Sequence, residues 1–166
     1  AISRAVRIPT RSEHDGSILL DIISTSPIPT GAVIIGDSGF KSEELIAYEL
    51  GYNYAPNAFF NLNIDLFYND YENLRSLEDS ITIVADAPIT AIGLFPTPGN
   101  NLFGETYGAE LSAKWQPTKD WQLTSSYSFL KVQLHTKTGS FDTFSETEEG
   151  NTPTQQFNLL SVYRPH

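Results

Sequence analysis

The chain has 166 residues, a formal net charge of −10 and a pI near 4.6. An acidic chain of this kind lacks the clustered Lys and Arg that phosphate backbones demand, so nucleic acid is not an expected partner. Cys is absent, which excludes disulfides and thiolate metal sites, and no run approaches the ~18 consecutive apolar residues of a membrane helix.

Residues 1–7 are short and carry Arg4 and Arg7, and Pro9 stops them because proline donates nothing to a strand ladder. A long connection follows over 11–40. Its segments 18–23 and 32–35 flank Ser26-Pro27-Ile28-Pro29-Thr30-Gly31, the pattern of a hairpin within a loop.

Residues 42–74 organise the rest. Ile46, Tyr48, Leu50, Tyr52 and Tyr54 occupy alternate positions, with Ala47, Glu49, Gly51 and Asn53 between them. After the break Ala55-Pro56-Asn57-Ala58, the apolar set resumes as Phe60, Leu62, Ile64, Leu66 and Tyr68, opposed by Asn61, Asn63, Asp65 and Asn69; Phe67 is the exception. Successive strand side chains point to opposite faces, so this is a long hairpin with one apolar face and one polar face.

A second long connection, about 72–104, holds segments 81–85 and 89–95 that pair locally before Pro96-Thr97-Pro98-Gly99-Asn100-Asn101 breaks the chain. Then the hairpin recurs. A shift of 61 residues lays Glu110 on Glu49, Trp115 on Tyr54, Pro117 on Pro56, Trp121 on Phe60 and Leu123 on Leu62, with the same faces apolar. A third connection, about 135–153, is polar and acidic and is expected to be solvated. The sixth strand, 155–164, sets Phe157, Leu159 and Tyr163 against Gln156 and Asn158, although Leu160 and Val162 fall on the polar side.

Connections thus alternate long and short, and strands of ten or more residues exceed the ~5–6 usual in globular proteins. The expected fold class is all-β: about six long antiparallel up-and-down strands forming part of a transmembrane β-barrel, with short periplasmic turns and long extracellular loops. Aromatics bracket both tight turns, as in the girdles at bilayer interfaces, and no charge interrupts the apolar face from Ile46 to Tyr54 or from Phe60 to Tyr68. The alternative is a soluble extracellular β-sandwich acting as a binding module, in which that face is covered by a second sheet. Six strands do not close a bacterial barrel, for which the minimum is about 8, so the barrel reading calls for further strands.

Several segments carry a family resemblance. Ser38-Gly39-Phe40-Lys41-Ser42-Glu43-Glu44-Leu45, leading into Ala47-Tyr48-Glu49-Leu50-Gly51-Tyr52, resembles the strand by which an extracellular loop re-enters the barrel of TonB-dependent outer-membrane receptors. The outgoing strand of that family is similar to 67–74, its upstream strand end to Ser3-Arg4-Ala5-Val6-Arg7-Ile8-Pro9-Thr10, and its strand before a periplasmic turn to Tyr107-Gly108-Ala109-Glu110-Leu111. The resemblance implies that 1–166 is part of the later half of a roughly 22-stranded plugged barrel. It further implies the outer membrane of a Gram-negative cell and import of iron-siderophore-type nutrients energised by TonB. Implied partners are outer-membrane lipid, a plug domain, the remaining barrel strands, the TonB complex and the siderophore. The family's plug, TonB box and signal peptide have no counterpart in these residues. Met is absent, the initiator included, as expected of a segment of a longer, processed or truncated chain, with removal of the initiator as the plainer alternative. A non-transporting porin or adhesin barrel is a third reading.

No enzymatic chemistry is expected. Gly36-Asp37-Ser38-Gly39 has the form of a serine-protease signature, but no base and orienting acid accompany it, and a turn explains it better. His14, His135 and His166 are dispersed, without the spacing of a zinc site. Asp142, Glu146, Glu148 and Glu149 could gather calcium, with a solvated charge run as the plainer reading. Glu49 and Glu110 hold equivalent polar-face positions and are expected to hydrogen-bond a lumen neighbour or a plug. No cofactor is expected, and the ligand-binding residues are not readable from the pattern; Arg11 and His14 carry no diagnostic cluster.

Overall fold

The computed structural model describes residues 1–24, 30–86 and 89–165, with side chains outside 17–34 and 79–96. The wall is a meander of β1 (Ile2–Arg7), β4 (Glu43–Asn57), β5 (Phe60–Asp86), β6 (Ile89–Thr118), β7 (Trp121–Thr136) and β8 (Gln155–Tyr163), each antiparallel to its neighbour. A short helix α1 (Arg11–His14) and a hairpin of β2 (Ser17–Ser24) and β3 (Thr30–Ile35) fill the first connection. Within the expected loop hairpin, residues 25–29 lie outside the described residues. β3 meets β6 in parallel at Thr30 and Ile92, so this arm reaches from the β1–β4 side past β5 to the far edge of β6.

Register turns the alternation into rows. Tyr52, Ile64, Leu111, Tyr127 and Phe157 stand side by side on one face, and so do Leu50, Leu66, Ala109 and Phe129. The two tight turns are superimposable in register as well as in sequence. Tyr54 pairs Leu62 and Asn57 closes on Phe60, just as Trp115 pairs Leu123 and Thr118 closes on Trp121, with a bulge at the same place in each.

Among the described residues, nothing covers the apolar rows. Leu50 is 66% exposed and Leu159 62%, and the buried apolar residues among those described are only Phe40, Ala47 and Leu102. The accessible surface, 11337 Å², exceeds the roughly 8,000 Å² of a compact monomer of this mass. The sandwich alternative fails on that point, because its second layer is missing among the described residues.

The dimensions fit a bilayer instead. Outward rings form a lower row at Phe60 and Trp115 and an upper row at Tyr48, Tyr68 and Tyr107, whose centroids lie 6.2 and 6.5 Å apart. Eight residues separate the rows on β5 and on β6, roughly 27 Å along a strand and about 20 Å along the normal at a tilt near 40°. The outward apolar band of outer-membrane barrels is about 25 Å tall. Just above the tyrosines the same face turns polar, with Asp70 beside Glu105 and then Glu44 beside Glu72.

Phe67, the exception to alternation, faces inward over Gly108. A Cβ at Gly108 would lie 2.6 Å from the Phe67 ring and 2.2 Å from the Phe129 carbonyl oxygen, so the glycine provides the room that the ring occupies.

One expectation is corrected. Residues 81–85 do pair with 90–94, but 96–101 do not break the chain: β6 runs on through them, Pro96 opposite Asp79 and Pro98 opposite Leu77. Prolines at alternate positions direct both missing donors toward one edge, and β7 has already ended opposite Leu102, leaving that edge without a β7 ladder to complete. β5 and β6 therefore rise beyond β4 and β7 as one mast, which β3 joins at Ile92.

Candidate functional site at the inner wall and the loop-bearing end

The inner face of the wall is a hydrogen-bonded polar sheet. Asn53 donates to Asn63, which donates to Asn61 and Ser112, and Asn69 donates to Thr106. Asp65 and Glu110 sit directly opposite each other, with Glu49 one inward row above. Like charges facing across a ladder are unfavourable, and this pair is held in place by the register of its strands. Glu49 and Glu110 are both inward, as expected, but the structure joins Glu110 to Asp65 and not to Glu49.

Toward the loops the inner wall changes character. Leu74, Leu102 and Leu134 line an open concavity of about 670 Å³ together with Arg7, Glu13, Glu43 and Arg75. Glu13 is its centre. The Arg7 guanidinium donates to both Glu13 oxygens at 3.0 and 2.8 Å, and the Thr10 N–H and hydroxyl each donate at 2.9 Å. Arg75 approaches to 3.6 Å. Arg7 also donates to Glu43 at 2.7 Å, and Glu43 accepts the Arg75 N–H at 2.9 Å. The Arg7 hydrogen bond outweighs burial and brings the Glu13 carboxyl down to about 2.

This node depends on α1, which the periodicity reading missed. Its signal was present, since Pro9-Thr10 followed by Glu13 is a capping box: Thr10 accepts the Glu13 N–H while the Glu13 side chain accepts the Thr10 N–H. The neck of the β2–β3 arm closes against the same turn. Gly36 donates to the Gly16 carbonyl at 2.8 Å, and a Cβ at Gly36 would meet the Ser12 and Glu13 carbonyl oxygens at 2.8 and 2.9 Å.

The third connection is exposed at Glu146, Glu148 and Gly150, as expected, but Asp142 does not share that solvation. Asp142 is 7% exposed and accepts the N–H groups of Leu77, Phe144 and Ser145 and the Ser145 hydroxyl. Burial raises its pKa, but those four donors outweigh it and leave the carboxyl below its usual range. Glu78, on the mast, accepts from Ser76, Asn101, Ser140 and the Phe141 N–H in the same manner. Glu149 and Glu146 accept the Leu134 and Thr136 N–H groups, which are edge donors because β8 reaches only as far as Phe129. Carboxylates thus stand in for a missing strand and cover an open edge. Glu148 accepts from Asn151. Among the described residues, no three His, Asp or Glu converge as metal ligands.

The other candidates are dispersed. His14 contacts Asp15, His135 lies 5.4 Å from the Phe103 ring, and His166 is outside the described residues. Asp37 accepts the Gly39 N–H in a turn around Ser38. Arg11 is exposed at the far side of α1.

The family described as TonB dependent receptor-like, beta-barrel, matches residues 1–165. Among solved structures, the siderophore receptor PirA from Acinetobacter baumannii aligns with a TM-score of 0.61 at 15% identity, over 99% of this chain and 24% of its own. The FrpB iron transporter from Neisseria meningitidis aligns at 0.58 and 17% identity, over 82% of this chain and 18% of its own. The copper transporter OprC aligns at 0.57 and 13% identity, over 99% and 21%. At such identities the likeness concerns the fold, and the chain spans less than a quarter of the length of each of these proteins. No curated protein matches the chain by sequence.

Proposed function

Because the chain belongs to the TonB-dependent receptor β-barrel family, a family of the Gram-negative outer membrane, we propose that it supplies six consecutive strands of a TonB-energised importer. The cargo is an iron-siderophore-type nutrient, and the protein acts in transport and not as an enzyme. The observation that carries this reading is the uncovered apolar band, bounded by aromatic rows and matched to a bilayer. The inward trio Glu49, Asp65 and Glu110 supports a protein-filled lumen, since three carboxylates on one wall call for cationic groups opposite. A plug domain would present them.

Uptake of radiolabelled ferric hydroxamate and ferric catecholate chelates, compared between cells with and without the receptor and with and without TonB, tests the proposal. Loss of one chelate's uptake on deleting either component supports it. Uptake that persists without TonB favours a passive porin. Retained uptake of every iron chelate with a loss of copper accumulation moves the cargo to copper, the metal named for one structural neighbour.

A further inference from the structure

Two of the three outer connections converge on one pair of mast residues, Asn73 and Asn100. The Asn100 carboxamide oxygen accepts the Lys41 N–H, and its Nδ2 donates to the Lys41 carbonyl at 3.1 Å and to the Asn73 carbonyl at 2.7 Å. Lys41 belongs to the segment that returns from the β2–β3 arm. From the other direction, the Lys137 ammonium, at the root of the third connection, donates to the Asn73 Oδ1 and the Asn100 carbonyl, each at 3.0 Å. The Lys137 N–H reaches the Asn101 carbonyl at 2.7 Å. Asn73 has φ 56°, a left-handed conformation that asparagine tolerates better than most residues, and it stands at the bulge where β5 and β6 slip register.

We infer that Asn100 is a positioning residue that couples the first and third outer connections, so that loosening one loosens the other. The physical reason is shared occupancy. The ammonium fixes the Asn73 side chain and the Asn100 backbone, and that fixed geometry aims the Asn100 carboxamide at both polar groups of Lys41. Neither connection is bonded to the other through this junction; both are bonded to the mast at the same point. The two carboxylate anchors behave differently, since Glu13 serves the first connection and Asp142 the third, each alone. Cargo contact with either loop would therefore be passed to its partner through the Asn73–Asn100 pair.

Hydrogen–deuterium exchange on the full receptor polypeptide in lipid nanodiscs tests this, independently of which cargo it carries or whether it transports. Lys137→Met is expected to speed exchange at Gly39, Phe40 and Lys41 roughly fivefold, the equivalent of about one lost hydrogen bond, although none of the bonds made by Lys137 reaches that segment. Asn100→Ser is expected to speed exchange in both connections. Ser145→Ala, which removes a bond inside the third connection only, is expected to leave 39–41 unchanged. The inference is overturned if Lys137→Met acts on the third connection alone or has no effect, or if Ser145→Ala moves 39–41 as much. Unchanged exchange in the membrane-level strands of each variant shows that the wall has stayed folded.

Discussion

The wall and the loop-bearing end are built from the same strands by different means. In the wall, β4 to β8 are held by ladder hydrogen bonds, and parity sorts most of their side chains: rings and aliphatics mainly outward, amides, hydroxyls and carboxylates mainly inward, with Phe67, Leu160 and Val162 among the inward apolar exceptions. Beyond the tyrosine row the ladders thin, and side chains take over the bonding of the backbone. Glu13, Glu78, Asp142, Glu146 and Glu149 each accept from a backbone N–H or from the side chains around a turn. A carboxylate in the wall is thus part of a surface presented to the lumen, whereas a carboxylate at the loop end is a structural fastener. The same residue type serves two roles because at the loop end it meets backbone donors that no ladder satisfies.

Reversing the parity of the wall should give the largest effect. Leu66→Arg places a cation midway up the outward face, in the row of Leu50, Ala109 and Phe129, at a cost of roughly 2–4 kcal/mol in the bilayer. Asn63→Arg adds the same group to the inner face, where water or a plug can meet it. The heat-modifiable gel shift of the folded receptor should therefore be lost or weakened for Leu66→Arg and largely kept for Asn63→Arg. The opposite ranking would exchange the two faces.

The contrast also explains what could be read in advance. The period of two, the recurrence at 61 residues and the aromatic brackets are properties of side chains alone, so strands and faces followed from them, whereas the matching bulges at Tyr54 and Trp115 are seen only in the register. Fasteners leave no period. Asp142 and Glu149 look like solvated charge until the Leu77 and Leu134 N–H groups are seen pointing at them. The continuity of β6 through Pro96 and Pro98 was equally hidden, because a proline's local veto depends on whether its edge has a partner. Only the Thr10–Glu13 capping box announced itself locally, and strand periodicity passed over it.

Releasing a fastener should act at the loop end and spare the wall. Asp142→Ala leaves the Leu77, Phe144 and Ser145 N–H groups without their acceptor, a cost of about 1–3 kcal/mol to the third connection. Limited proteolysis should then cut between 137 and 154 in intact cells, while the gel shift of the barrel stays normal. Acid should do the same more gradually. The Glu13, Asp142 and Glu146 carboxyls are all held below their usual range, so the unfolded loops bind protons more readily than the folded ones. Their anchoring is complete at neutral pH, begins to fall below the ordinary carboxylate range near 4.5 and, for Glu13, is gone only below about 2. Loop protection factors that stay flat from pH 7 to 5 and fall below that range fit this sign; a loss of protection already between pH 7 and 6 would contradict it.

The smallest expected effect separates the cap of α1 from the charge of Glu13. Thr10→Val keeps the branched shape and the N–H that donates to Glu13 at 2.9 Å, but removes the hydroxyl that accepts the Glu13 N–H and donates to its carboxylate. Loss of such a cap costs about 1 kcal/mol. Arg7 still holds both Glu13 oxygens, so the node should survive with α1 frayed, seen as faster exchange at the Glu13 and His14 amides and unchanged exchange at Arg75, whose N–H is bonded to Glu43. If Arg75 loosens to the same degree, the helix turn and the ionic node are a single unit, and the loop end is as cooperative as the wall beneath it.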